Sequence, residues 1–492
     1  MKRLTVLLIA LFSVGTISAQ IDNDWSKKVK KSQESARKEY ENFRQQAMAD
    51  YGDFRKKANE EYARFLEEAW ASFKASPEEE FPWNPKPLDP VVADSQTKPE
   101  DKPVDFNLKP IAPLPIKQPT PIEPIAPTIK PDAPATIVRF FGTEIPFNIE
   151  DYHPSPMKDI SEHSIAKLWR EFSQPAYDNL VSECLRNRSD SNLCDWAYVV
   201  LTEQVAEQLC GGHTNEAVVL HLFLLTQSGY QMRLGRAGNK LYVLVGSNEK
   251  IYHYKYFKIN NVNYYLFDNS VKNEDFFICQ HAYPKEKLMS LVAYQPKLSV
   301  VKSEPREIAS KRYPKVKARV QVNRNLIDFF NSYPLSAQWI YYSRTSLSEV
   351  AKGSLYPVLR NAIKDKTEFE AANILLNFVQ TGFSYATDQQ QFGYERPLFP
   401  DESLYYPFND CEDRSIFFAC LVRELMGLDV VLLDYPEHLA TAVCFSEDVA
   451  GSYLTIDGKR YVICDPTYIG ADVGLCMPQY QGTSPYLKKF NN

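Results

Sequence analysis

The stretch NDCEDRSIFFACLVRELMG, residues 409–427, decides how the C-terminal third of the chain is read. Ile416, Phe417, Cys420, Leu421, Leu425 and Met426 recur three or four residues apart, so the stretch predicts a helix with a buried face, opening at Cys411 and stopped by Gly427. A thiol at a helix N-terminus meets unpaired amides and the positive end of the helix dipole. Both favour thiolate over thiol, and the Cys411 amide itself is a candidate donor to a developing oxyanion. Downstream, VVLLDY reads as a central strand, Pro436-Glu437 as a turn, and HLATAVCF as a strand that opens at His438, the one histidine in the last third of the chain. A further run, Arg460 to Cys464, follows the Asp457-Gly458 turn and delivers Asp465 at its end. Cys411, His438 and Asp465 thus supply, in order, a nucleophile, a base and a carboxylate to orient the base, the set that thiol-based acyl transfer requires.

Asp410, Glu412 and Asp413 crowd the sulfur, and bare carboxylates would raise its pKa by like-charge repulsion. Helix capping with pairing to Arg414, or a hard cation such as calcium on clustered carboxylate oxygens, would offset them. No Cys or His spacing matches a zinc site, and the chemistry requires no other cofactor. Gln380, at the end of the apolar stretch EFEAANILLNFVQ, is a candidate second oxyanion donor.

These residues resemble the transglutaminase-like superfamily, and most of all its bacterial cysteine-proteinase-like branch. The resemblance rests on Cys411-Glu412-Asp413, His438-Leu439-Ala440 and Asp465-Pro466-Thr467, with NFVQTGFSYATD and FPDESLYYPFND leading in, and it covers about Arg319 to Met477. Asn409 stands where that family often has glycine. The resemblance implies an α+β fold with a papain- or transglutaminase-like core, in which the cysteine helix packs on an antiparallel sheet. It also implies a protein or peptide substrate, and it tilts the expectation toward peptide-bond hydrolysis over transamidation.

A second, similar order of parts lies upstream. EAVVLHLFLLTQSGYQMRLGR parallels RSIFFACLVRELMGLDVVLLD, NKLYVLVGS parallels HLATAVCFS, and VNYYLFDNS parallels KRYVICDPT. Setting Gly229 against Gly427 puts His213 opposite Cys411 and Asn239 or Lys240 near His438, while Asp268 matches Asp465. This predicts an internal duplication: a degenerate copy over 136–300 that has lost its nucleophile and base, and a catalytic domain over 301–492.

The N-terminal region is of another kind. Met1-Lys2-Arg3, an apolar run from Leu4 to Val14 and Ser18-Ala19 read as a signal peptide over 1–19, which implies an exported, periplasmic or extracellular protein. Residues 20–75 predict a long helix. Ala36, Ala47, Ala58 and Ala69, then Tyr40, Tyr51, Tyr62 and Phe73, then Phe43, Phe54 and Phe65, repeat every eleven residues and make one apolar stripe at 3.67 residues per turn. That stripe over 25–75 must meet a surface of its own chain, a second copy or a partner helix. Residues 76–135, with sixteen prolines, read as an extended spacer.

The formal net charge of -6 over 492 residues argues against nucleic acid, and no later apolar run is long enough to span a bilayer. Nine cysteines leave at least one thiol unpaired; Cys184, Cys194 and Cys210 lie close enough in sequence for one disulfide, and Cys444, Cys464 and Cys476 for another. Two function classes stay open: a cysteine acyl-transfer enzyme, and a non-catalytic scaffold of the cell envelope on the same fold.

Overall fold

The computed structural model describes residues 52–68, 70, 74–78, 80–81, 89–108, 136–149, 152–271 and 275–490. The expected signal peptide, the repeat up to Tyr51 and the proline tract over 109–135 lie outside the described residues. Contacts divide the chain between Ala58 and Asn59. In the first unit residues 52–58 are helical, and the second unit holds everything that follows.

The second unit is mixed α and β, built around two antiparallel sheets that each follow a buried helix. The first helix, Asn215–Gln227, is capped by Thr214, whose hydroxyl accepts from the Ala217 amide at 3.2 Å. It leads into β1 (Met232–Ala237), β2 (Lys240–Ser247), β3 (Lys255–Ile259), β4 (Val262–Leu266) and β5 (Phe276–Cys279). The other helix, Cys411–Leu421, continues as one π-helical turn to Gly427, whose φ of 69° makes the left-handed stop expected from the sequence. It leads into β6 (Asp429–Tyr435), β7 (His438–Cys444), β8 (Ser452–Ile456), β9 (Lys459–Cys464) and β10 (Tyr486–Lys489).

The five strands named run in the order β5-β1-β2-β4-β3 in the first sheet, where Lys74–Ala75 adds an edge beside β5, and in the order β10-β6-β7-β9-β8 in the second. Raising every strand number by five turns one order into the other. The hairpins agree as well: Ala237 pairs with Lys240, and Tyr435 with His438. Cys411 precedes His438 by the 27 residues that separate His213 from Lys240. In the next ladder Thr441 faces Cys464 and Val245 faces Tyr265. Continued by two residues, the β2–β4 register sets Val243 against Phe267, which puts Asp268 where Asp465 stands.

Contacts group the segments 136–300 and 301–492 in the one unit from Asn59 onward. Trp196 Nε1 donates to Ser332 Oγ at 3.3 Å, and the Tyr341 hydroxyl donates to the Glu249 carboxylate.

One expectation changes, and one of the alternatives left open for the repeat is met. Part of the supposed spacer, 89–108, is a strap on the second sheet. The Ala93 amide donates to Ile469 O at 2.9 Å and the Ile469 amide to Val91 O at 2.8 Å. Lys102–Pro103 runs parallel to β8 at one edge, and Asn107–Leu108 runs parallel to β10 at the other. The four steps from Pro103 to Asn107 reach about 14 Å at most, so the sheet curls until its two edges lie close together. Val91, Ala93, Val104 and Phe106 pack against the apolar core inside the curl, which offsets the entropy of fixing a proline-rich chain.

The repeat, over 59–67, is covered by its own chain. Tyr62 is buried, with its ring 4.6 Å from that of Trp169 and 5.7 Å from that of Tyr283, while Phe65 stacks on His281 at 4.0 Å. Asn59 and Gln227 exchange side-chain hydrogen bonds at 2.9 and 3.4 Å.

All nine cysteines lie among the described residues and each is a free thiol, so neither expected disulfide forms. No helix of the described residues is long and apolar enough to cross a membrane.

Candidate active site

Cys411 opens a helix in which every residue is buried, and β7 of the second sheet packs against that helix. Ser415 Oγ donates to Leu439 O at 2.7 Å, tying the helix to the start of β7. His438 begins β7, one residue before the Leu439 that Ser415 holds, and Asp465, which follows β9, contacts His438. The three side chains lie in a dry site, with relative exposures of 3, 5 and 3 % for Cys411, His438 and Asp465.

His438 Nε2 is 2.9 Å from Asp465 Oδ2. The other carboxylate oxygen accepts from the Thr467 amide at 2.9 Å and the Tyr468 amide at 3.2 Å, so Asp465 shapes its own turn and holds the ring at once. An ionised carboxylate only accepts, which assigns the proton to Nε2 and leaves Nδ1 as the basic nitrogen. Tyr480, near the C-terminus, lies over the ring with centroids 5.0 Å apart and planes 9° apart.

The sulfur is not hydrogen-bonded to the imidazole. Its hydrogen goes to Glu412 Oε2 at 2.9 Å. Burial pushes the thiol pKa well up, and the Glu412 and Asp410 carboxylates push it further, against the lowering expected from the helix terminus. The Leu439 amide opposes them.

The carboxylates divide into two roles. Asp413 caps: Oδ1 accepts from the Leu398 amide at 2.8 Å and Oδ2 from the Asp410 amide at 3.4 Å. Asp410 does not. It is fully buried, and neither of its oxygens has a hydrogen-bond partner. Arg414 does not pair with the acids as expected. Its guanidinium donates to the carbonyls of Asn409 at 3.2 Å, Gln380 at 3.2 Å and Phe383 at 3.0 Å, which fixes the turn feeding Cys411. Asn409 stays out of the left-handed region; its side-chain Nδ2 donates to Ser403 O at 3.3 Å and its backbone amide to Ser384 O at 3.1 Å.

One member of this acidic group was missed by the sequence reading. Asp388, Asp410 and Glu412 each offer an oxygen within 4.8 Å of the others, and all three are buried. Asp388 comes 22 residues before Asp410 on a four-residue turn, where nothing in the local pattern marks it. Burial raises its carboxyl pKa to about 10, with Asp413 and Glu412 adding to the effect. Glu395, beside Glu412, goes to about 12 from burial and the Glu412 charge. The three offer carboxylate oxygens alone, the donor type of a hard cation, and no sulfur or nitrogen donor.

Gln380 is not placed as an oxyanion donor. Its Nε2 donates to the carbonyls of Asp465 at 3.2 Å, Tyr468 at 2.8 Å and Ala471 at 3.0 Å, and its Oε1 accepts from the Gly470 amide at 3.2 Å. It clamps the loop that carries Asp465.

At the matching place before the first sheet, His213 is 64 % exposed and its Nδ1 lies 2.6 Å from Glu207 Oε1. Asp268 there is partly buried, yet hydrogen bonds from Ser270 and the positive charges of Lys240 and His213 hold its carboxyl below the usual range.

No family model, no curated protein and no solved structure matches this chain.

Proposed function

We propose that this protein is an exported cysteine acyl-transfer enzyme with a transglutaminase-like core, acting on amide bonds of a protein or peptide through Cys411, His438 and Asp465. The reading rests on one observation above all: a buried histidine and aspartate 2.9 Å apart, with the residue after the histidine bonded to the helix that opens with a buried thiol. In the reaction Nδ1 of His438 takes the Cys411 proton once the sulfur turns from Glu412. The thiolate attacks the amide carbonyl, His438 protonates the departing amine, and a thioester remains on Cys411. Water as acceptor gives hydrolysis; an amine gives transamidation. Asp465 keeps the ring in the tautomer this needs and stabilises the imidazolium.

Asp388, Asp410 and Glu412 are the residues that would hold a calcium ion, whose charge would cancel the repulsion that keeps the sulfur protonated. The Asn215–Gln227 helix and its sheet are proposed to be a degenerate copy, supported by the shared strand order and register.

One observation favours the scaffold instead: the thiol is bonded to a carboxylate and its pKa is raised. Iodoacetamide labelling of the reduced full chain at mildly acidic pH, with and without calcium, separates the two. The enzyme requires fast, selective alkylation of Cys411 that falls away in His438→Ala. Labelling of Cys411 no faster than that of the half-buried Cys210 and Cys444, in both conditions, would leave the scaffold.

A further inference from the structure

We propose that Tyr480 is a positioning residue for His438, an assignment that rests on the acyl-transfer reading above. One hydrogen bond does not fix an imidazole. With Nε2 held on Asp465, the ring can still turn about the line joining the two atoms, and that turn swings Nδ1 away from the place where the sulfur must deliver its proton. A flat partner against the ring removes this freedom. Tyr480 provides it, with its plane 9° from that of His438 and the centroids 5.0 Å apart.

Tyr480 holds the backbone too. Its hydroxyl donates to Pro436 O at 3.0 Å, in the turn that leads into His438 and whose next residue, Glu437, is forced to a φ of 57°. Tyr435, the register partner of His438 across that hairpin, packs against Tyr480 at 4.7 Å. Ring and turn are therefore set by one side chain, buried to 6 % exposure and carried by the short Pro478–Tyr480 turn. That turn lies outside the helix-strand-strand frame that the sequence makes visible.

The test uses the full chain with three substitutions at this position. Tyr480→Phe keeps the stack and loses the hydroxyl, Tyr480→Leu keeps apolar bulk and loses the plane, and Tyr480→Ala loses both. Two readouts are taken: the rate of Cys411 alkylation across pH, and the protected Nε2 proton of His438 in chain labelled with nitrogen-15 histidine. The expected result is an alkylation rate within about threefold of wild type for Phe, a fall of about 10- to 100-fold for Leu and Ala, and broadening or loss of the Nε2 proton in those two alone. Leu guards against an Ala variant that fails to fold. An unchanged Nε2 proton and rate in Leu overturns the proposal, as does a rate that rises, which would make Tyr480 a shield over the sulfur. Should wild-type Cys411 prove indifferent to His438, the acyl-transfer reading fails; the Nε2 proton then still decides whether Tyr480 holds the ring.

Discussion

The helix Asn215–Gln227 and the helix Cys411–Leu421 precede sheets of the same strand order; Cys411 is the first residue of its helix, while His213, at the same 27-residue spacing from its hairpin strand, lies just before the Thr214 cap of its own. Around them the solvent differs. His213 reaches into water and pairs with Glu207, an arrangement of little energetic weight, whereas Cys411 lies with His438, Asp465 and five carboxylates at positions almost closed to water. A polar group is costly to bury without partners, so a site that keeps Asp410 fully buried with neither oxygen bonded holds free energy that a ligand can recover. The comparison teaches that a shared frame places side chains, and that burial decides whether their mutual charges amount to chemistry.

The largest expected effect breaks the comparison outright. Cys411→Ala and His438→Ala should each lower amide cleavage or transfer by about 10⁴-fold or more, since the members of such a set act as a unit. His213→Ala and Lys240→Ala, at the matching places, should leave it within about twofold. The check is turnover on the substrate found by mapping new termini or crosslinks in a mixture of envelope proteins. Equal losses in both pairs would mean that the two frames share one function.

The next effect belongs to the first helix alone. His221 stands where the other helix has Ala419; it is fully buried and bonded to Val199 O at 3.1 Å, and burial lowers its pKa to about 4. Its unfolded value is about 6.5, so between those values the unfolded chain binds the extra proton. Stability from this group is complete above about pH 6.5 and is lost as pH falls toward 4, at up to about 1.4 kcal/mol per unit. Urea midpoints at several pH values should show His221→Leu with a shallower acid loss than wild type.

Calcium sharpens the contrast from the other side. At a hundredfold excess over its dissociation constant a bound ion adds about 2.7 kcal/mol to stability, so the melting temperature should rise by a few degrees. Asp410→Asn and Asp388→Asn should abolish the rise, and Glu207→Gln, beside the exposed His213, should not change it. Differential scanning calorimetry with calcium and with chelator reads this directly.

How far these features can be read from the chain depends on the range of the interactions behind them. Local ones are legible: the period from Ile416 to Met426, the Gly427 stop and the turn before His438 each need only a few neighbours. The order Cys411, His438, Asp465 is legible because each lies at the end of an element with its own pattern. Asp388, Tyr480 and the strap over 89–108 are not, since each acquires its role only when the sheet curls and brings distant segments together. Gln380 shows the same limit: its position at a helix end is visible, but the three carbonyls it binds come from residues 85 or more positions away. The proline count over 76–135 pointed to a spacer because composition carries no information about which edge a strand will find.

The smallest effect tests whether the first frame keeps any vestige of a site. If His213, Lys240 and Asp268 are remnants now serving only as surface charges, breaking them should scarcely register. The His213–Glu207 contact is 64 and 35 % exposed, and such pairs contribute between about 0 and 1 kcal/mol, less as salt rises. His213→Ala should therefore lower the unfolding free energy read from urea titration by less than about 1 kcal/mol, with the difference vanishing in high salt. A larger loss that persists in salt would show that these residues do more than fill the surface, and the two frames would have to be compared as two working sites.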